Sequence, residues 1–342
     1  MLSELGVDIY LHMFEYGRGE QKELTKYCKE VHYYKRNPFV KSFLSTDPFI
    51  VKSRSNDRLT TNLNKDPFPI LFEGLHTTYP VFENLLKGQP VFVRAHNIEH
   101  RFYKGLSESE SNLFKKRFFK QEAKKLKRYQ QVLKKVNGVF TISPFEQAYF
   151  FQKFGDHCQY VPAFHEVFKK QHLKNKGTYI LYHGNMMVPE NVKAALFLIK
   201  VYKGSKFTFK IASSHVHKTL VKEIGLHPNI SFTHIREEND LSKLFEEAHI
   251  NVLPTFQKTG IKLKLLNTLY QSKFVIANDF MIDDTGLETL CERANTKAEF
   301  LNKTEMLFNT DFSNDIVNER LQILQQFDPI QGGQKIIDTI FN

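Results

Sequence analysis

The chain is poor in the features that would place it in several large classes. Its 342 residues include three cysteines, Cys28, Cys158 and Cys291. They are widely scattered and odd in number, which argues against a disulfide framework and against a cysteine metal site. No stretch approaches the roughly 18 uninterrupted apolar residues that span a bilayer, and the opening MLSELGVDIY lacks the basic, then apolar, then small order of a secretory signal. A cytoplasmic protein is therefore expected. The histidines show no H-E-x-x-H or comparable ligand spacing, so no metal and no cofactor are expected, and no zinc finger or RNP motif points to nucleic acid. Acidic charge is in deficit: 37 aspartates and glutamates face 48 lysines and arginines, a formal net charge of +11. Such an imbalance bears on partners rather than on fold, and an acidic lipid surface or a phosphorylated substrate would both answer it.

What is present is enough chain for two hydrophobic cores of similar size, with 41% hydrophobic residues to fill them. In the front half, apolar runs at residues 8–13, 30–34, 69–73, 90–95, 138–142 and 159–162 predict strands. Helical patterns at 22–30, 79–86 and 144–154 fall between them. A polar, lysine-rich stretch from His165 to Gly177 lacks apolar periodicity and is the linker candidate. A second alternation then starts afresh, with strands at 179–182, 207–212, 230–232, 250–253 and 274–277 and helices at 190–201, 216–224, 241–248 and around Leu265, Leu266 and Leu269. Strands separated by helices imply parallel sheets covered on both faces, hence an α/β chain of two facing, Rossmann-like doubly wound domains. The expected division is 1–168, a linker at 169–176, and 177–342, with the last helix completing the second domain. Ligands of such sheets bind beyond the carboxyl ends of the strands, so a cleft between the domains is the default site.

Two segments stand out chemically. The first is basic: Lys115, Lys116, Arg117, Lys120, Lys124, Lys125, Lys127, Arg128, Lys134 and Lys135 accompany a helical apolar stripe at Phe119, Ala123, Leu126 and Leu133. It serves equally as the solvated outer face of a domain helix or as a contact with an anionic membrane surface. The second is Pro254 to Asp279, PTFQKTGIKLKLLNTLYQSKFVIAND, in which a strand, a phosphate-sized loop, a helix and another strand follow one another. Gly260 is expected at the helix start, where free N–H groups and the positive end of the helix dipole gather, and Lys264 adds a cation one turn in. The plainer role for that lysine is a solvated side chain on an amphipathic helix.

Taken in order, YHGNMMVPENVKAALFLI, FKIASS, PNISFTHIREENDLSKLFEEAHINVLPTF and GIKLKLLNTLYQSKFVIAND resemble the nucleotide-binding half of a bacterial family-four-like glycosyltransferase of GT-B fold. ILFEGLHTTYP, VFVRAHNIEHRFYKGL, EAKKLKRYQQ and FTISPFEQAYF resemble the acceptor half of the same group. The resemblance implies that Gly184 and Asn185 lie in the glycine loop near the donor diphosphate and that the loop from His234 to Leu241, with Arg236, cradles the nucleobase. It further implies that Thr259, Gly260, Ile261, Lys262, Lys264 and Asn267 line the donor site. Two departures accompany it. Thr259 and Asn267 stand where the family carries glutamates, and Asn185 and Asn191 stand where basic residues often follow the glycine loop. Asn267 can still hydrogen-bond a ribose hydroxyl, and Lys264, Lys262 and the helix dipole are left to stabilise the phosphates.

In the front half, Arg94, His96, Asn97 and Glu99 follow a buried strand. His96 is a candidate for contact with the sugar or an acceptor hydroxyl and Glu99 for acid/base chemistry, the alternative being a polar loop that caps the next helix. Glu73 and His76 flank Gly74 after another strand, Glu73 in a structural role and His76, with Arg94 and Asn97, on the acceptor side. The resemblance also implies an apolar first strand that this chain lacks, since Leu2 to Gly6 already reads as the end of the helix after it, so the N-terminal domain is expected to be incomplete. The implied activity is metal-independent, retaining transfer of a hexose from a nucleoside diphosphate sugar to a glycan or lipid-linked acceptor, with a peripheral position on the inner face of the membrane. The rivals are a nucleotide-sugar 2-epimerase and a noncatalytic or truncated binding protein.

Overall fold

The computed structural model describes residues 1–15, 17, 19–110, 112–165, 176–256 and 263–342, without the side chains of residues 41 and 238. The chain forms two units, one built from Met1–Phe164 together with Phe327–Asn342, the other from residues between His165 and Gln326.

In the first unit, β1 (Tyr10–Phe14) and β2 (Glu30–Tyr34) pair in parallel, Tyr10 opposite Glu30 and Phe14 opposite Tyr34. The expected helix at 22–30 is only a 3-10 turn over Lys22–Lys26, because Lys29 N donates to Ile9 O and draws the chain straight into β2. Three short helices come next, α1 (Phe39–Phe43), α2 (Phe49–Lys52) and α3 (Asp57–Leu63). Pro38 and Pro48 immediately precede the first two. Asn56 caps the third by accepting from Leu59 N. Then come β3 (Ile70–Glu73), α4 (Tyr79–Phe82), β4 (Val91–Ala95), α5 (Glu99–Ser109), α6 (Leu113–Tyr129), β5 (Gly138–Thr141), α7 (Pro144–Phe154) and β6 (Cys158–Tyr160). Helix α4 stops well short of Leu86 because Asn84 takes a left-handed φ of 53°.

These strands form two parallel sheets, β1-β2 and β3-β4-β5-β6. In the larger one the row Phe72, Val93, Val139 and Cys158 lies in register and packs into a core with Leu126 and Tyr129 of α6 and Phe150 of α7. The other face carries Leu71, Phe92 and Phe140, closed by Ile336 and Ile340.

The second unit contains β7 (Tyr179–His183), α8 (Pro189–Tyr202), β8 (Phe209–Ser213), α9 (Lys218–Ile224), β9 (Ile230–His234), α10 (Glu238–Glu247), β10 (Ala248–Leu253), α11 (Leu263–Gln271), β11 (Phe274–Ala277), α12 (Asp279–Ile282), β12 (Glu292–Arg293), α13 (Lys297–Phe308) and α14 (Asn314–Leu324). Its six parallel strands run β12-β11-β10-β7-β8-β9, the order of a doubly wound sheet whose direction of winding reverses between β7 and β10. Ile180, Ile250 and Ile276 on the sheet are covered by Leu198 and Tyr202 of α8 and Phe300 of α13.

Ile336 and Ile340 belong to α15 (Pro329–Phe341), so the terminal helix corrects the expected division. It completes the first unit and not the second, because the apolar face of the larger sheet in the first unit needs a cover. The expected linker, 169–176, lies outside the described residues except for Lys176.

The two units differ in the middle of their sheets. In the second, β7 stands between β8 and β10. In the first, β1 and β3 occupy the corresponding flanks, and no strand pairs with the free edge of either among the described residues. A stack of Tyr10 on Phe68, 5.5 Å between ring centroids, joins the two sheets at this border. Edge strands lack half of their possible ladder partners. Amides of β1 and β3 are therefore expected to exchange with deuterium about tenfold or more faster than those of β4 and β5, which are paired on both sides. Peptide-resolved hydrogen exchange tests this, and equal protection across the four strands would contradict it.

Candidate functional site

In the second unit the winding reverses between β7 and β10, and the residues that follow β7 lie beside α11. Gly184 follows β7 directly, held by its N–H to Ala212 O at 3.1 Å. A Cβ at this position would stand 3.1 Å from Lys264 Nζ and 3.1 Å from Asn191 Cγ, so the glycine is what lets the backbone pass under both side chains. Asn191 Nδ2 donates to Asn185 O at 3.0 Å, and Asn185 Oδ1 accepts from Met187 N at 2.9 Å. Both asparagines are thus used to shape the loop rather than to supply charge.

Lys264 lies in the first turn of α11, its ammonium 4.0 Å from the centre of the Tyr182 ring. Burial lowers its pKa to about 7, and the carboxylate of Glu190 pulls the other way. Glu190 is itself tethered, accepting from Phe256 N at 3.1 Å and from the Thr255 hydroxyl. His183, at the end of β7, is kept neutral, well below the usual imidazole range, by burial and by the neighbouring Lys264. The far end of α11 is fixed by α14: Arg320 donates to the carbonyls of Leu269 at 3.1 Å, Ser272 at 2.6 Å and Lys273. These would otherwise be unsatisfied at a helix C-terminus. The helix that carries Lys264 is therefore clamped while its N-terminal turn points at the glycine loop.

Of the other expected donor residues, two can be placed. Asn267, one turn after Lys264, has its Oδ1 occupied by Gln271 Nε2 at 2.6 Å. Arg236 lies exposed between β9 and α10, its backbone N–H donating to Asp240 Oδ2 at 2.9 Å in the cap of α10. Thr259, Gly260, Ile261 and Lys262 lie outside the described residues, and α11 begins at Leu263.

In the first unit, the carboxyl ends of β3 and β4 hold two linked clusters. His96 Nε2 meets Glu73 Oε2 at 2.6 Å, and Arg94 Nη1 stands 4.0 Å from Glu73 Oε1. Arg94 also stacks 3.8 Å from the centre of the Phe164 ring and donates to Pro162 O at 3.0 Å, which makes it a brace between strand ends. The second cluster centres on Glu99, the first residue of α5. Burial raises its pKa to about 7, against the opposing charges of His96 and Arg54. His76 is pushed down to about 3 by burial and then by Arg54, His96 and Arg36, so it is neutral. Its ring lies over Gly74, where the φ of 89° favours glycine and an added Cβ would stand only 2.5 Å from His76 Cε1. Asn97 follows His96 in the same loop. Glu73, for which a structural role is expected, is the hydrogen-bond partner of His96. Arg54 and Glu190 were missed in the sequence, where nothing in their spacing marks them.

Comparison with known proteins bears on the fold. No protein-family model matches this chain. An uncharacterized 44.6 kDa protein in the cps region of Klebsiella pneumoniae is 25% identical over 315 residues, 84% of this chain and 78% of that protein. Among solved structures, the lipopolysaccharide outer core galactosyltransferase WaaB is similar with a TM-score of 0.62 at 13% identity, over 96% of this chain and 89% of WaaB. A trehalose-6-phosphate synthase, from work on glycosyl transfer with retention, is similar with a TM-score of 0.63 at 10% identity, over 96% and 92%. A mutant of S. aureus TarM with UDP, α-GlcNAc-glycerol and fondaparinux has a TM-score of 0.60 at 15% identity over 86% of this chain, which spans 58% of the TarM chain. The two units are those of a GT-B fold.

The close fit at Gly184 yields a test. In Gly184→Ala the new methyl meets the side-chain ends of Lys264 and Asn191 at 3.1 Å, a contact that a shift of a few tenths of an ångström relieves, so stability should fall by no more than about 1 kcal/mol. The space under the ammonium is nevertheless lost, and pyrophosphate should bind markedly more weakly. Thermal unfolding together with a pyrophosphate titration checks both halves of the expectation.

Proposed function

We propose that this chain transfers a hexose from a nucleoside diphosphate sugar to a hydroxyl of a glycan or lipid-linked acceptor, with retention of anomeric configuration, at a membrane surface. The observation that carries the proposal is Lys264, a buried cation in the first turn of α11 directly beside the close-approach glycine of the β7 loop. A diphosphate placed there would meet an ammonium and the positive end of a helix, the groups that stabilise a leaving diphosphate as its charge develops.

In that reaction the bond from the anomeric carbon to the diphosphate oxygen breaks and a bond to the acceptor oxygen forms. The acceptor proton passes to a base. Glu99, with its pKa raised to about 7, and His96, paired with Glu73, are assigned to the acceptor hydroxyl. His76, Arg94 and Asn97 are assigned to the shape of the acceptor side. The names of the similar proteins lend support to each finer choice: a galactosyltransferase to the hexose, work on transfer with retention to the stereochemistry, bound UDP to the donor, and a cps-region relative to a glycan acceptor. The basic face of α6 supports a peripheral position on an anionic membrane.

A second reading, nucleotide-sugar binding without turnover, is favoured by one observation, the split sheet of the first unit. It parts from the first in an assay that follows transfer of labelled hexose and donor binding on the same preparation.

Two outcomes are expected at the donor site. Lys264→Ala should weaken binding of UDP-glucose by about 1.5 to 3 kcal/mol, the cost of a lost charge-assisted hydrogen bond. Because the diphosphate favours the ammonium, its pKa must rise on binding, so the complex takes up protons near and above pH 7, and affinity is highest below pH 7 and declines above it. Calorimetry in buffers of different ionisation enthalpy measures the uptake. The same small affinity in wild type and variant, with no proton uptake, would remove the site. At the acceptor side, Glu99→Gln should slow transfer by about 10²-fold or more while leaving donor affinity unchanged, as read by initial rates beside calorimetry.

A further inference from the structure

The largest exposed apolar side chains of the first unit are gathered on α1 and the start of α6. Val40, Leu44, Leu113 and Phe114 are 66%, 77%, 78% and 87% exposed, and Phe39 and Phe43 lie open beside them. They are not scattered. Phe39 stacks on Phe43 at 5.3 Å, Phe43 on Phe118 of α6 at 5.6 Å, and Phe49 meets Phe118 edge-on at 6.0 Å, so an aromatic seam joins the two helices into one ridge. The seam is locked from below. Glu122, buried on α6, accepts from Phe49 N and pairs with Lys125 at 2.9 Å, while Lys125 Nζ donates to Ser45 O at 2.8 Å. At the tip, Asn112 caps α6 by accepting from Phe114 N and Lys115 N, both at 3.1 Å, which holds Leu113 and Phe114 in an ordered first turn.

A ridge of this kind is not what a lone aqueous surface carries. Its collar says what covers it. Lys115, Lys116, Arg117, Lys120 and Lys124 are exposed along α6, and none pairs with a carboxylate among the described residues. Apolar side chains in the middle and unpaired cations around them match an anionic bilayer, which offers hydrocarbon beneath a negatively charged headgroup layer.

We propose that α1 and the first turn of α6 form a membrane-insertion ridge, in which Phe39, Val40, Phe43, Leu44, Leu113 and Phe114 enter the acyl boundary of an anionic bilayer while the cations of α6 hold its headgroups. The proposal extends the peripheral position in the reading above from a purely electrostatic contact to an inserted one. The difference is measurable, because charge alone is screened by salt and an inserted ridge is not.

The chain contains no tryptophan, so Phe114→Trp places a single reporter at the tip. With vesicles of phosphatidylglycerol and phosphatidylcholine, its emission should shift to the blue and be quenched by brominated acyl chains, and part of the shift should persist in high salt. Vesicles of phosphatidylcholine alone should give little. The pair Val40→Asp and Leu44→Asp, at positions too exposed to be needed for folding, should lower sedimentation with anionic vesicles by about tenfold or more. A reporter that remains in water, Asp variants that sediment like wild type, or a ridge that instead holds two copies of the chain together in sedimentation velocity without vesicles would each overturn the proposal. All of these measurements omit nucleotide and sugar, so they stand or fall apart from the assignment of glycosyl transfer.

Discussion

A strand in a parallel sheet cannot be followed by a tight turn back to its neighbour; the chain must cross over the sheet before it pairs again. Almost everything of consequence here descends from that constraint. In the second unit the crossovers wind outward in one direction from β7 and in the other from β10, and ligands of such sheets bind where the winding reverses. Gly184 follows β7 at that point, and the Lys264 ammonium of α11 lies beside it.

Those groups are arranged with economy of charge. Lys264 faces a tyrosine ring and one carboxylate, that of Glu190, which already has two donors of its own. A cation so placed is poorly solvated when the site is empty and gains most from an incoming anion. The first unit follows the opposite logic. Glu99 is a carboxyl poorly solvated by its burial, with His96 and Arg54 near enough to moderate it but not to abolish the shift. One unit thus holds a buried amine and the other a buried carboxyl, each brought to a pKa of about 7.

How far this was legible in the sequence depended on whether the signal was local. The strands were readable because buried parallel strands are continuous apolar runs, as in Tyr179–His183 and Val91–Ala95. The helix position of Lys264 was readable because the apolar residues Leu265, Leu266 and Leu269 lie within a few residues of it. Arg54 and Glu190 were not, since each acquires its neighbours only through tertiary contact. The placement of α15 was misjudged for the same reason: an amphipathic helix advertises that it needs a sheet face but not which one. The ridge on α1 escaped notice because Phe39–Phe43 is too short for periodicity to declare a helix, and exposure is a property of the folded chain alone.

The return of α15 to the first unit has a temporal side. Ile336 closes a sheet face whose strands end at Tyr160, so roughly 170 further residues must be made before that face can be covered. At synthesis rates of about 5–20 residues per second this is a delay of about 10 to 35 s. During that interval the ribosome-bound chain presents Leu71, Phe92 and Phe140 uncovered while the second unit is still being translated and folded. The order of synthesis and the order of completion are therefore reversed: the part that is made first is finished last.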